Sequence, residues 1–187
     1  MIINLILASL IFISYMLWEI GNFNKIINRI LKFFVDLSPL IILLFNRSIP
    51  CCIFLILCLI ANFVIFKNQI FGGIIFIIAY SFASIYSIWE NKFNIIALLI
   101  SLITIIIIEF ILLKFYKDNK IGIIIYGLTS SLLCVYAFII TKNVGFLCLM
   151  LGDTLLIVNE IHKNKTIFLI SDLFYFLGTC LVPLSLI

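Results

Sequence analysis

Three carboxylic acids interrupt long apolar stretches of this sequence: Glu109, Asp153 and Asp172. An acid near the centre of a bilayer costs about 2.5–3.5 kcal/mol on insertion scales, so an acid in such a stretch is a candidate functional residue. Glu109 lies five residues before Lys114, and a position at the membrane interface explains it equally well. Asp153 and Asp172 are the stronger candidates for chemistry, which for a carboxyl group means proton transfer or stabilisation of a cation.

Asp153 and Asp172 have matching positions on either side of a polar connection centred on residue 163. Asp153 lies ten residues before that centre and Asp172 lies nine after it. A rise of 1.5 Å per residue places both about 14 Å from the connection, at equal depth on neighbouring helices. Because neither segment contains a Lys or Arg, we expect uncompensated acids that form an acid–base pair. The alternative is a hydrogen bond between helices, and the spacing alone favours it.

Four further polar residues fall toward the same half of their segments. Asn62 lies near the end of one apolar segment and Tyr80 lies in the next. Tyr126 opens a later segment, and Tyr175 follows Asp172 by one turn. A Ser or Thr comes four residues after each of the three tyrosines, on the same helical face. We expect these residues to line a polar cavity that binds the substrate and opens to the inner leaflet.

The composition requires lipid around most of the chain. Of 187 residues, 66% are hydrophobic and only 11% are charged, with a mean hydropathy of +1.39. A soluble domain has about half apolar and a quarter charged residues. Chains that span a bilayer form helices or closed barrels, and barrel strands alternate apolar and polar residues. The apolar runs here do not alternate, so the sequence predicts helices.

Charged and turn residues divide the chain into eight apolar segments, and we predict a single all-α domain over residues 1–187. The fold class is a polytopic transmembrane helical bundle of about eight spans. The second segment is short, contains Pro39, and borrows the amphipathic stretch from Lys25 to Phe34. The first segment is apolar from residue 2 without a basic region before it, which predicts a span and no cleaved signal. The segments are 2–18, 35–45, 49–66, 70–89, 94–113, 121–140, 144–160 and 166–187.

Basic residues are unevenly divided between the two sides, nine against three, and positive loops stay cytoplasmic. We therefore expect an integral protein of a bacterial plasma membrane with cytoplasmic basic loops and both termini outside. No dense basic block is present, which argues against a nucleic-acid partner. The nine are Lys25, Arg29, Lys32, Lys67, Lys114, Lys117, Lys120, Lys163 and Lys165, and the three are Arg47, Lys92 and Lys142.

We expect neither a metal nor a cofactor. The six cysteines fall inside apolar segments without zinc-site spacing, and buried cysteine commonly acts as a small hydrophobic residue. His162 is the single histidine and lies in a connection. Phosphate-binding and dinucleotide-binding motifs are absent from the sequence.

Two stretches carry a resemblance to a known family. The stretch from Cys58 to Ile88 reads CLIANFVIFKNQIFGGIIFIIAYSFASIYSI. It resembles the central helical hairpin of the YhhN family, which includes the lysoplasmalogenases. The stretch from Gly145 to Glu160 reads GFLCLMLGDTLLIVNE and looks like the second acidic motif of that family, with Asp153 as its acid. Tyr126 and Tyr175 also fit the pattern, and the resemblance covers most of the chain.

The sequence departs from the family pattern at four polar positions. Asn62 stands where the family has the Asp of its first Gly-Asp pair, and Tyr80 stands where it has His. Ser38 replaces a Lys before a proline, and Thr179 replaces a Gln in the last helix. These departures put catalytic competence in doubt more than the fold.

The resemblance implies cleavage of the vinyl-ether bond of a lysoplasmalogen, a lysophospholipid with an alkenyl chain. The products are a fatty aldehyde and a glycerophospho-alcohol. Asp153 would act as the acid or the carboxylate that stabilises a cation, with Asn62 and Tyr80 as replacement pocket groups and Tyr175 as an orienting hydrogen bonder. Asp172 could supply a second carboxyl, although it matches no family motif. The alternative is a non-catalytic lipid-binding or small transport protein on the same scaffold.

Overall fold

The computed structural model describes residues 2–21, 25–40, 48–65, 68–89, 91, 93–115 and 131–186, and within these ranges all regular structure is helical. The prediction of an all-α protein is therefore confirmed for the described residues. The helices are α1 (Ile2–Ile20), α2 (Lys25–Leu37), α3 (Ile49–Ile65), α4 (Gln69–Trp89), α5 (Ile95–Phe115), α6 (Leu132–Thr141), α7 (Val144–His162) and α8 (Lys165–Leu181), followed by a 3-10 turn at Val182–Ser185.

Six of the eight predicted segments begin within one residue of the start of a helix, and the other two are described only in part. Of the predicted second segment, 35–45, the structure describes residues 35–40, which include the end of α2; that helix begins in the amphipathic stretch, at Lys25. The α2 helix ends before a turn at Ser38 and Pro39, where proline lacks the N–H that a continuing helix needs. The predicted sixth segment, 121–140, is described only from residue 131 onward, so Tyr126 lies outside the described residues.

Three helices in the described part of the chain are long and apolar enough to cross a membrane. They are Phe71–Trp89, Ile95–Lys114 and Lys165–Ser185. Shorter apolar helices cover Ser9–Ile20 and Ile49–Ile65, among others. The apolar helices agree with the prediction of membrane association, and crossing by the three long ones is consistent with the length that a bilayer requires.

Helix α2 has the reverse of the arrangement found in soluble proteins, where the apolar face of an amphipathic helix packs on the core. Ile30 and Phe34 are 49% and 50% exposed. The charged side chains of Lys32 and Asp36 point inward and are only 17% and 6% exposed. An outward apolar face and an inward charged face are favourable when lipid surrounds the helix, because lipid does not solvate charge.

Seven of the helices pack in a closed sequence of neighbours. In that order, α1 contacts α2, α2 contacts α3, α3 contacts α4, α4 contacts α6, α6 contacts α7, α7 contacts α8, and α8 returns to α1. Helix α5 packs on α6. The main core lies between α3, α4, α6 and α7 and includes the fully buried rings of Phe54, Tyr80 and Phe146. All six cysteines are free and five of them are buried, as predicted for small hydrophobic residues.

Helices α7 and α8 form the closest pair, and their approach sets the position of both candidate acids. A side chain at Gly152 would meet the backbone nitrogen of Tyr175 at 3.0 Å. The hydroxyl of Ser171 donates to the carbonyl of Gly152 at 2.7 Å. Lys163, in the left-handed region with a φ of 47°, ends α7, and the side chain of Asn164 caps α8. The short connection therefore places the residues before Asp153 and Asp172 opposite each other, in agreement with the predicted equal depth.

Candidate functional site

Asp153 is joined to Tyr80, a residue of α4 that is completely buried. The Tyr80 hydroxyl donates to Asp153 Oδ1 at 3.5 Å. That distance is at the long end for an O–H···O hydrogen bond, whose usual length is about 2.7–2.8 Å. Asp153 on α7 is therefore in contact with α4 through a weak bond, which a ligand group could replace at small cost.

A second polar pair lies beside the first and involves helices α3 and α8. The side-chain amide of Asn62 donates to the Tyr175 hydroxyl at 3.0 Å. The ring of Phe76 links the two pairs, with its centroid 5.7 Å from that of Tyr80 and 5.6 Å from that of Tyr175. The contact with Tyr175 is edge-on, at 82°, which is a favourable arrangement for aromatic rings.

These contacts define a tyrosine cluster, made of Asn62, Phe76, Tyr80, Asp153 and Tyr175. Four of its members are residues that the sequence predicts for the site, and they come from four different helices. Within the cluster, the carboxyl group of Asp153 is the one group that can donate a proton to carbon. The amide and the two phenols can orient a ligand by hydrogen bonding.

Asp172 belongs to a different set of contacts, formed with α1 and α2. The Tyr15 hydroxyl donates to Asp172 Oδ2 at 2.8 Å, and Lys32 Nζ donates to Asp172 Oδ1 at 2.7 Å. Lys32 Nζ also lies 5.4 Å from the centroid of the Tyr15 ring and 3.9 Å from Asp36 Oδ1. We call Tyr15, Lys32, Asp36 and Asp172 the ion-paired cluster.

The expectation that Asp172 is an uncompensated acid is wrong, because Lys32 compensates it. Lys32 precedes Asp172 by 140 residues, and the sequence analysis counted it among the loop charges that set topology. Only the packing of α2 beside α1 and near α8 brings the ammonium group to the carboxylate. The acid–base pair expected between Asp153 and Asp172 is likewise replaced by separate partners, Tyr80 for one and Tyr15 with Lys32 for the other.

Asp36 is a residue that the sequence analysis did not single out, although it falls within the predicted second segment. Its side chain is 6% exposed, and among the described residues Oδ1 has no hydrogen-bond partner. A small pocket, with room for roughly one water molecule, lies against it between α2, α3 and α8. The pocket is lined by Val35, Asp36, Pro39, Leu40, Leu55, Cys58, Tyr175, Phe176 and Thr179.

Glu109 belongs to neither cluster. Its Oε1 atom is buried without a hydrogen-bond partner among the described residues, and it lies on α5, the helix that packs on α6. Within the same part of the chain, no group of three or more His, Cys, Asp and Glu residues is arranged to hold a metal ion.

Comparisons with protein-family models, with curated proteins and with solved structures find no match to this chain.

Proposed function

We propose that this chain is an integral membrane hydrolase that cleaves the vinyl-ether bond of a lysoplasmalogen, as its resemblance to the YhhN family implies. The observation that carries the proposal is the tyrosine cluster. Asn62, Tyr80, Asp153 and Tyr175 are the positions that the resemblance points to, and they meet although they lie on four helices. This meeting of polar residues from four helices supports a site at this place in the bundle.

The membrane setting of the proposal includes about eight spans, cytoplasmic basic loops and both termini outside, in a bacterial plasma membrane. Three helices of sufficient length and the outward apolar face of α2 support it. A substrate with one alkyl chain would then reach the site from the bilayer. Each CH₂ group of that chain contributes about 0.8 kcal/mol when it is buried against apolar side chains.

The reaction adds one water molecule to an enol ether, R–CH=CH–O–R′, and gives R–CH₂–CHO and HO–R′. Neutral Asp153 donates its proton to the vinyl carbon, and the adjacent carbon becomes an oxocarbenium ion. The carboxylate left on Asp153 stabilises that cation. Water adds to the cation and gives up a proton to a base, and the hemiacetal that forms then breaks its bond to OR′, which leaves as the alcohol.

Tyr80, Asn62 and Tyr175 have orienting roles in this proposal. Tyr80 holds Asp153 through the bond at 3.5 Å. Tyr175 accepts from Asn62 at 3.0 Å, and its own O–H is the group that would turn toward a ligand oxygen. Tyr126 stays a prediction because it lies outside the described residues.

Asp172 is a less suitable acid than Asp153. Its two oxygens accept from Tyr15 and from the ammonium group of Lys32, and a paired cation favours the charged form of a carboxyl group. We therefore assign Asp172 to the stability of the bundle and propose Asp153 as the acid.

The test is release of aldehyde from a lysoplasmalogen by the purified protein in detergent, compared with heat-treated protein. We expect release by the wild type and a loss of about 10²–10⁴-fold in D153N, the range that a general acid supplies. Gel filtration of D153N checks that the fold is retained. Equal turnover by folded D153N and wild type would remove Asp153 from the mechanism.

A non-catalytic lipid-binding protein is the second candidate, and the residue at position 62 favours it. An amide cannot protonate carbon, so Asn62 leaves the tyrosine cluster with a single acid. Lysoplasmalogen that co-purifies with the protein without release of aldehyde would support binding over hydrolysis.

A further inference from the structure

We propose that the pocket between α2, α3 and α8 holds the water that attacks the cation, and that Asp36 is the base that accepts its proton. The inference rests on the proposed function and names the second carboxyl group of that site. Neither Asn62 nor Asp172 can supply this group, the first because it is an amide and the second because both of its oxygens already accept hydrogen bonds, from Tyr15 and Lys32.

The state of the Asp36 carboxyl group is the first argument. A buried carboxylate oxygen without a hydrogen bond is costly, and Asp36 Oδ1 is such an oxygen in the described part of the chain. Its cation neighbour, Lys32 Nζ, is 3.9 Å away, which is beyond hydrogen-bond distance. Lys32 donates instead to Asp172 at 2.7 Å, so Asp36, which lines the pocket, keeps an acceptor that is not hydrogen-bonded within the described residues.

The pocket itself is the second argument. A buried water requires two to four polar partners and a space of about its own size. The pocket has that size, and four of its lining residues carry polar side chains, namely Asp36, Cys58, Tyr175 and Thr179. In this proposal, water in the pocket donates to Asp36.

The relation between the pocket and Asp153 is the third argument. Tyr175 belongs to both the pocket lining and the tyrosine cluster. Cys58 also lines the pocket, and it lies on α3 one turn before Asn62, the residue that donates to Tyr175. An attacking water at Asp36 would thus be close to a substrate protonated by Asp153.

Asp153 and Asp36 each carry out part of the reaction, and both return to their starting protonation states. Asp153 gives its proton to the vinyl carbon, and water then bonds to the oxocarbenium carbon while its proton passes to the Asp36 carboxylate. When the hemiacetal breaks, neutral Asp36 returns that proton to the leaving alcohol oxygen, and the hemiacetal hydroxyl gives its proton to Asp153. Both acids are restored, as in glycosidases that use one carboxyl group as acid and another to activate water.

The division of roles is tested by hydrolysis of a lysoplasmalogen in D₂O, with aldehyde and recovered substrate analysed by mass spectrometry. In D36N, protonation of the vinyl carbon still occurs, but capture by water is slow and the cation reverts. We expect aldehyde release to fall at least tenfold while deuterium enters the vinyl position of the recovered substrate. D153N should lose both release and exchange, because no proton reaches carbon.

Controls separate this role from a structural one and from failure of the proposed function. E109Q removes another buried carboxyl group outside both clusters and should release aldehyde like the wild type, without exchange. If D36N does not fold, D36E carries the test, since its displaced carboxylate should keep exchange and release less aldehyde. Wild-type release from a folded Asp36 variant, or joint loss of release and exchange, overturns the inference alone. A wild type without release or exchange overturns the proposed function and this inference together.

Discussion

The ion-paired cluster and the tyrosine cluster both hold an aspartate inside an apolar bundle, but they hold it differently. Asp172 accepts two hydrogen bonds of 2.7 and 2.8 Å, one of them from an ammonium group. Asp153 accepts a bond of 3.5 Å from a neutral phenol. Charge-assisted bonds are shorter and roughly twice as strong as neutral ones. Asp172 is therefore held by shorter and stronger bonds than the one that joins Asp153 to Tyr80.

Under the proposed function, this difference separates a residue that stabilises the bundle from one that takes part in the chemistry. The ion-paired cluster connects α1, α2 and α8 beside a small buried apolar cluster of Phe12, Tyr15, Val35, Phe176 and Cys180. The tyrosine cluster lies against the main core of α3, α4, α6 and α7, where packing is sufficient without a strong polar bond. Residue type alone does not distinguish the two acids, but their partners do.

The largest effect that would test this contrast is the loss of Lys32. In K32M, Asp36 and Asp172 remain as two buried acids without a cation, and breaking a buried ion pair by removing one partner costs about 3–5 kcal/mol. We expect a loss of this size in the free energy of unfolding, measured by titration with a denaturing detergent. The double variant K32M/D172L replaces both charges with apolar groups and should recover most of the loss. An unfolding free energy of K32M equal to that of the wild type would mean that the ion pair is not formed in the membrane protein.

The ion-paired cluster also marks the limit of what the sequence could predict. Runs of apolar residues fixed the starts of six helices to within one residue, because local composition decides where a chain enters lipid. The same reasoning placed Lys32 in a loop, since a basic residue in an amphipathic stretch usually sets topology. Its pairing with Asp172 depends on the rotation of α2 about its axis, which points the charged face inward. No pattern within a single segment contains that information.

The tyrosine cluster was predicted more completely, and for a different reason. Asn62, Tyr80, Asp153 and Tyr175 stand out in the sequence as polar residues inside apolar segments, toward the same half of those segments. Asp36 was not predicted, although it falls within the predicted second segment; it lies four residues after Lys32, at the end of α2, and this spacing alone does not indicate burial. Only its burial and the adjacent pocket indicate another role.

Tyrosine-to-phenylalanine substitutions allow a matched comparison of the two clusters, and the larger effect on stability is expected at Tyr15. Y15F removes a hydrogen bond of 2.8 Å to a charged group, which is worth about 1.5–3 kcal/mol. We expect an unfolding free energy lower by that amount, measured with the same detergent titration. The stacking of Phe12 on Phe176 at 4.6 Å should hold α1 in place, so Y15F should still fold. A smaller loss of unfolding free energy in Y15F than in Y80F would contradict this comparison.

Replacement of Asn62 by Asp tests the role of the tyrosine cluster through its effect on activity. N62D restores the carboxyl group that the family resemblance predicts, beside Tyr175, and a second acid should increase aldehyde release. We expect an increase of about tenfold, or about 1.4 kcal/mol, which is below the full value of a general acid because Tyr80 occupies the expected His position. N62L is the matched control, since it has a similar size without a proton to give, and it should not increase release. An N62D variant that folds and is no more active than N62L would favour the lipid-binding alternative.

The smallest effect on stability is expected at Tyr80, where the contrast between the clusters is most direct. Y80F removes a hydroxyl whose bond to Asp153 is 3.5 Å long, so the loss should lie at or below about 0.5 kcal/mol, the lower end for a neutral hydrogen bond. Its ring contact with Phe76 at 5.7 Å is retained. Aldehyde release should nevertheless decrease, because Asp153 loses the group that orients it. We therefore expect Y15F to be the less stable of the two variants and Y80F to be the less active one. Parallel losses in both measurements would mean that the two aspartates differ in strength of bonding but not in role.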